Sequence, residues 1–464
     1  MEATQHNDRP KLNMLQGPLW NKIPRFALPV AATAVLGQLF NATDIAVVGN
    51  FASGDRTAAV AAVGSNAPII NLVVGLFIGI ALGTTVVIAN AIGSGNREAV
   101  QKAVHTSIVF SVIAGVVMAV IGELMASALL GLLQVPDDVF PLSLLYLRIY
   151  FLGLPVILLY NFEAAIFRSI GETKAPLIAL ACSGVLNVLL NLLFVLGFGM
   201  TVNGVAIATV LSNAVSAVIL YRRLRKSTQV IHVDPKLFAL HWDSLRKILR
   251  IGLPAGIQSA VFAISNIVIQ SAINSLGTLV MAASSAALNL EFIVYYIMTS
   301  FSQACATFVG QNYGAHQMKR CRKTLALCIL EDAIATAFAA CVILLFGHTL
   351  LSLFNGDSDV IALGYTRLCV IFPSYTFSLL YEVMSGYLRG FGISLIPALL
   401  TTLGVCGVRI FYIYTIFPTY PTFYTILYAF PISLALTAVM IGLCLLFFRP
   451  SRKKAPLESG VSPS

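Results

Sequence analysis

The chain has 464 residues, of which 58% are hydrophobic and only 10% charged, a balance outside that of soluble globular proteins. Its net charge of +10 would suit a nucleic-acid partner, but the basic residues gather in a few connecting segments between long stretches without Lys or Arg. Nucleic acid is therefore excluded as the expected partner, and a lipid bilayer takes its place.

A helix crossing a hydrocarbon core about 30 Å thick needs about 20 mostly apolar residues. Within lipid its backbone polar groups must be satisfied inside the segment, which favours helices. A polar segment at 1–24 comes first and argues against a cleaved signal peptide. Six apolar stretches follow, at 25–51, 66–92, 104–133, 143–167, 175–199 and 203–222. A basic linker at 223–249 leads to six more, at 250–275, 279–307, 324–353, 361–388, 395–417 and 424–448, and a basic tail at 449–464 closes the chain. The sequence thus predicts an all-α integral membrane protein with twelve transmembrane helices in two six-helix lobes, 25–222 and 250–448.

Loop charge gives the orientation. One side collects the N-terminal segment with Arg9 and Lys11, the connections holding Arg97, Lys102, Arg168 and Lys174, and the linker. It also holds Lys319, Arg320, Arg322, Lys323, Arg389 and the tail. The other side has Arg56 among the acids Asp55, Asp137, Asp138, Asp357 and Asp359. A multi-pass protein of the plasma membrane with both termini cytoplasmic is expected. The eight cysteines are scattered without CxxC or CxxH spacing, so neither a metal site nor a disulfide frame is expected.

The two halves repeat one another. Tyr146, Arg148, Pro155, Tyr160, Arg168, Gly171 and Pro176 align with Tyr365, Arg367, Pro373, Tyr381, Arg389, Gly392 and Pro397, at separations of 218–221 residues. Leu28 and Pro29 match Leu253 and Pro254, and Gly95 is paired with Gly314. Each half has six spans and begins on the cytoplasmic side, so the repeats are parallel and related by a pseudo-twofold along the membrane normal. Two such lobes would enclose a central cavity suited to alternating access.

The same residues carry a family likeness. The chain resembles the multidrug and toxic compound extrusion (MATE) family from about Pro24 to Pro450. The matching stretches run Asn41–Gly49, Phe167–Pro176, Leu186–Asn191, Gly204–Thr209, Thr307–Ala315 and Leu388–Gly392. The resemblance implies export of organic cations or other amphipathic compounds, driven by inward movement of H⁺ or Na⁺, with no other cofactor. A monomer is expected.

Asp44 is the central candidate. By helical rise it lies roughly 28 Å above the inner end of the first helix, with Asn187 and Asn191 roughly 20 and 26 Å up the fifth. Thr209 lies about 9 Å below the outer end of the sixth. Asn187 and Asn191 are one turn apart and share a face. Carboxylate, amide and hydroxyl oxygens suit a small hard cation; alternatively the carboxylate carries a proton, as intramembrane acids often do. The resemblance assigns these four positions to the ion or proton site. The second helix-5 position is commonly acidic in the family but is Asn191 here, which tilts the expectation from Na⁺ to H⁺. Pro29 is expected to bend the first helix.

Gln38, Asn41, Glu291 and Glu382 are assigned to the substrate cavity, Glu291 lying near the midplane. Arg148 and Arg367 are expected to snorkel or to pair with loop acids. Arg409 is the one deep arginine, with Glu382 or Glu291 as its partner. Three deep acids against one deep arginine favour a cationic substrate. The alternative is a flippase for a lipid-linked or amphipathic metabolite, which should have a basic cavity. An embedded enzyme finds no support in paired carboxylates, a His/Cys cluster or a nucleophile motif.

Overall fold

A computed structural model describes residues 12–52 and 55–448. The expected tail at 449–464, and Arg9 and Lys11 of the N-terminal segment, lie outside the described residues. Regular structure among the described residues is entirely helical. Helices α1 (Lys22–Phe51), α2 (Arg56–Gly93) and α3 (Arg97–Leu132) are long and unbroken. α4 (Phe140–Leu152) and α5 (Leu154–Ser169) form a bent pair. α6 (Lys174–Leu192) runs into a π turn at Leu193–Gly197, and α7 (Val202–Arg225) follows.

In the second half come α8 (Trp242–Asn274), α9 (Thr278–Gly314), α10 (Met318–Leu345), the short α11 (Gly347–Ser352) and α12 (Ser358–Gly390). α13 (Leu395–Thr401), a π turn at Thr402–Gly407 and α14 (Val408–Thr415) make one continuous element before α15 (Phe423–Phe448). Eleven elements are long and apolar enough to cross a bilayer, and the α4–α5 pair makes twelve when taken as one span bent by 50°.

That bend departs from the straight fourth span predicted over 143–167. Pro155 is the second residue of α5; it has no N–H to give and its ring crowds the carbonyl four residues earlier. Gly115 of α3 faces it with no side chain, where a Cβ would lie 2.4 Å from the Pro155 Cα. The corresponding Pro373 sits inside an unbroken α12.

Helix ends explain several charges and glycines noted in the sequence. The Asp55 carboxylate accepts the Ala58 N–H at 3.0 Å, and Asp357 accepts the Asp359 N–H at 2.8 Å, each satisfying a donor left open by a helix start. The repeated Arg-x-x-Gly turns are helix C-caps. Gly171 and Gly392 take φ of +82° and +79°, and the next residues, Glu172 and Ile393, return N–H bonds to Phe167 and Leu388.

The pairing of Gly95 with Gly314 is corrected. Gly95 has φ +72°, and its counterpart in conformation is His316 at +58°. Gly314 instead matches Gly93: a Cβ on Gly93 would lie 2.0 Å from the Gln311 carbonyl oxygen, and one on Gly314 2.1 Å from that of Asn90.

The chain forms two compact units. The first holds Leu28–Ile88 and Arg97–Ala263, the second Asn13–Ala27, Ala89–Asn96 and the chain from Ile264 onward. The first unit therefore takes in the linker and the first part of α8. Within it, Phe77, Ile80, Phe151, Leu154 and Phe162 belong to a buried core. Gln101 donates to the Val230 carbonyl at 2.6 Å, and His105 Nε2 accepts the Asp234 N–H at 3.2 Å, fastening the linker to α3. α2 and α8 touch backbone to backbone: a Cβ on Gly79 would lie 2.3 Å from the Gly256 nitrogen.

In the second unit, Ile371, Ile413, Ile426 and Leu427 are buried together. There Arg320 holds the segment before α1. Its Nε, Nη1 and Nη2 donate to the carbonyls of Met14, Gly17 and Gln16 at 3.0, 2.9 and 3.2 Å.

Candidate functional site

Asp44, Asn187, Asn191 and Thr209 come together in the first unit. Asp44 is 2% exposed, Asn187 2% and Asn191 0%. Asp44 Oδ1 accepts from Asn191 Nδ2 at 2.7 Å, and Oδ2 accepts from the Thr209 hydroxyl at 2.8 Å. Asn191 Nδ2 also reaches Asn187 Oδ1 at 3.2 Å, and Asn187 Nδ2 donates to Thr209 Oγ1 at 3.4 Å. The network spans α1, α6 and α7. Tyr146 and Tyr150 of α4, stacked on each other, lie within electrostatic reach of Asp44.

Thr209 is the instructive member. Its oxygen lies 2.8 Å from Asp44 Oδ2 and 3.0 Å from the Val205 carbonyl oxygen, yet a hydroxyl has one proton to donate. With Asp44 ionised, that proton serves the carboxylate. With a proton on Oδ2, Asp44 donates to Thr209 and the hydroxyl turns to Val205. In both states Asp44 and Thr209 keep their partners without moving a heavy atom. A metal ion asks for more. Its potential ligands here are Asn191 Oδ1, buried without a donor, and Asn187 Oδ1 and the two Asp44 oxygens, each of which already accepts one N–H or O–H bond. No group of three or more His, Cys, Asp or Glu side chains arranged to hold a metal exists among the described residues.

The other candidates in this unit stand apart. Asn41 is exposed and donates to the half-buried Gln38 at 3.2 Å on the same helix, and neither joins the Asp44 network. Pro29 lies inside α1, where the Thr33 hydroxyl bonds to its carbonyl at 2.7 Å. The boundary between the two compact units crosses α1 at Ala27 and Leu28, immediately before this proline.

The second unit changes the charge balance. Arg367 does not snorkel. It is 3% exposed, and its Nε and Nη2 grip both carboxylate oxygens of Glu291 at 2.6 and 3.1 Å. Its counterpart Arg148 meets Glu123 of α3 at 3.5 Å with half its side chain exposed. Arg409 pairs with neither Glu291 nor Glu382. Its guanidinium lies 4.2 Å from the centre of the Phe430 ring, and Nε donates to the Ser433 hydroxyl at 2.9 Å. Glu382 is buried within electrostatic reach of Arg389 and Asp332. The Glu291 carboxylate is therefore neutralised from within, and the count of three deep acids against one arginine does not describe the site.

Four further acids lie inside the predicted spans, Glu123, Glu163, Glu331 and Asp332, and two of them are fully buried. Glu163 of α5 is 0% exposed with no hydrogen-bond partner for either oxygen among the described residues. Asp332 of α10 is 0% exposed and takes one bond, from Thr336 at 3.0 Å. Both lie within apolar spans, the criterion that singled out Glu291, and applying it evenly would have found them.

Regular structure that is entirely helical among the described residues, with up to twelve spans and a buried polar network held by three of them, defines a polytopic membrane protein. The MatE family model matches residues 29–193 and 254–415. The chain belongs to the MatE family, whose members are transporters and not enzymes.

It is 30% identical to the probable multidrug resistance protein YpnP of Bacillus subtilis (strain 168) over 58% of this chain and 60% of that protein. Similarity to the probable multidrug resistance protein YoeA of the same strain is 27% over 88% of each chain. The chain thus spans less than two thirds of the first of these relatives and most of the second. Among solved structures, a MOP superfamily transporter from Pyrococcus furiosus, described as having a binding pocket of reverse polarity, superposes with a TM-score of 0.88 at 21% identity. That match covers 97% of this chain and all of the other, a likeness of fold.

Proposed function

We propose that this protein is a secondary active efflux transporter of the plasma membrane, exporting organic cations or amphipathic drugs by alternating access in exchange for H⁺. The observation that carries the reading is the Asp44 network, in which Asp44 and Thr209 keep their partners with or without one proton and only the Thr209 hydroxyl turns. Intramembrane carboxylates are costly and mark ion or proton pathways. The multidrug resistance descriptions of YpnP and YoeA support the substrate class. In this reading Pro29 is the point at which α1 bends as Asp44 gains or loses its proton, the termini are cytoplasmic, and the protein works as a monomer. Gln38, Asn41 and Glu382 are taken as substrate-contacting residues, each within its own unit.

Ethidium movement in inverted membrane vesicles tests this. Transport is expected to follow an imposed pH gradient and to ignore a Na⁺ gradient. A response to Na⁺ alone would reassign the coupling ion. Silence under both would favour the second reading, a flippase for a lipid-linked or amphipathic metabolite. One observation supports that reading: Glu291 is already neutralised by Arg367, and Arg409 has no carboxylate partner among the described residues.

A further inference from the structure

Arg409 sits where the repeat places the counterpart of Asn187. Pro176 and Pro397 are 221 residues apart, which would set Asn187 against Val408. A π turn accommodates one extra residue in a helix. In the second half that turn, Thr402–Gly407, precedes this position; in the first half, Leu193–Gly197 follows it. The register between the two turns therefore shifts by one, bringing Arg409 to the place of Asn187. Beyond both turns the separation returns to 221, so Thr209 and Ser212 correspond to Phe430 and Ser433. Contacts agree with this register: Asn187 touches Thr209 in the first unit, and Arg409 touches Phe430 and Ser433 in the second. By the match of Leu28 with Leu253, Asp44 corresponds to Ile269, a buried core residue. The second unit thus places a cation where the first has a neutral amide, and an apolar residue where the first has a carboxylate.

The guanidinium is held but not consumed. Phe430 and Ser433 fix one edge, while Nη1 and Nη2 make no hydrogen bond to the described residues. Arg409 is 8% exposed, so its guanidinium is largely but not wholly enclosed. The nearby Glu291 has both oxygens committed to Arg367 and offers no compensation. A planar pair of free N–H donors on a fixed, weakly hydrated cation matches a carboxylate or phosphate better than any neutral group.

We propose that the second unit binds an oxyanion, the carboxylate or phosphate head of an amphipathic compound, through Nη1 and Nη2 of Arg409. The site is separate from the Asp44 network, and equilibrium binding tests it whether or not the transport reading stands. The full-length protein in dodecyl maltoside is titrated with 1-pyrenebutyrate and with the uncharged 1-pyrenebutanol, followed by fluorescence anisotropy. Wild type is expected to prefer the carboxylate about tenfold, the scale of one charge-assisted hydrogen-bonded contact. Arg409→Gln should reduce the preference to about one while leaving pyrenebutanol affinity unchanged, which also shows that the variant is folded. Arg409→Lys should keep part of it. No preference in wild type, or an undiminished one in Arg409→Gln, overturns the proposal. Competition with nanodiscs of phosphatidylglycerol against phosphatidylcholine then names the source. Displacement by phosphatidylglycerol alone assigns the anion to a lipid headgroup, and its absence assigns it to a solute; both uphold the site.

Discussion

The internal repeat supplies its own control for the worth of a membrane-buried ion pair. Arg367 and Arg148 occupy corresponding positions, yet their side chains are 4% and 50% exposed, and their carboxylate partners 3% and 31%. Arg367 makes two bonds, at 2.6 and 3.1 Å, whereas the closest approach of Arg148 to Glu123 is 3.5 Å. Removing one partner of a buried pair strands an uncompensated charge and typically costs about 3–5 kcal/mol. An exposed pair is worth about 0–1 kcal/mol because water screens it.

Arg367→Met and Glu291→Leu should each therefore destabilise by roughly 3–5 kcal/mol. The double variant should recover most of that loss, because no charge remains buried. Arg148→Met and Glu123→Leu should each cost less than about 1 kcal/mol and combine additively. The measurement is reversible unfolding by SDS in mixed micelles, followed by far-ultraviolet circular dichroism, with a double-mutant cycle at each pair. If the Arg367 cycle gives a coupling below about 1 kcal/mol, or the two cycles give equal values, the assignment of Glu291 to a neutralised structural pair is wrong. Glu291 would then return to the list of substrate acids.

Three further outcomes follow from the geometry. Asp44→Asn should abolish gradient-driven ethidium transport while leaving expression and unfolding midpoint near wild type; full transport in reconstituted liposomes removes Asp44 from the coupling site. Thr209→Ser should retain transport and Thr209→Val should lose it, because only a hydroxyl can donate to either Asp44 or Val205, and equal rates for both variants would refute the hydroxyl's part in proton exchange. Gly256→Leu should destabilise by more than about 3 kcal/mol, since overpacking against backbone has no flexible side chain to yield; an unfolding midpoint equal to wild type would show that α2 and α8 do not meet so closely in the membrane.

The span count was legible because it rests on apolar run length, and loop composition marked where runs stop. Side-chain partnership was legible only where residue types are rare in lipid. Asp44 with two amides one turn apart announced itself in this way, and the structure joins all four predicted residues. Arg367 did not, because helical rise gives depth along an axis but not the direction a side chain faces. A residue near a helix end can snorkel outward or turn inward to an acid on a neighbouring helix. Glu163, by contrast, was legible as a carboxylate inside an apolar span.

The π turns carry this lesson furthest. A repeat read as a constant offset aligns Asn187 with Val408 and hides any relation between the two polar positions. One extra residue per half, inserted before the position in one and after it in the other, shifts the register only between the turns. Each turn leaves the apolar pattern intact, so hydropathy does not register it. The consequence is chemical: the same place in the repeat holds amides serving Asp44 in one unit and a cation with two unengaged nitrogens in the other.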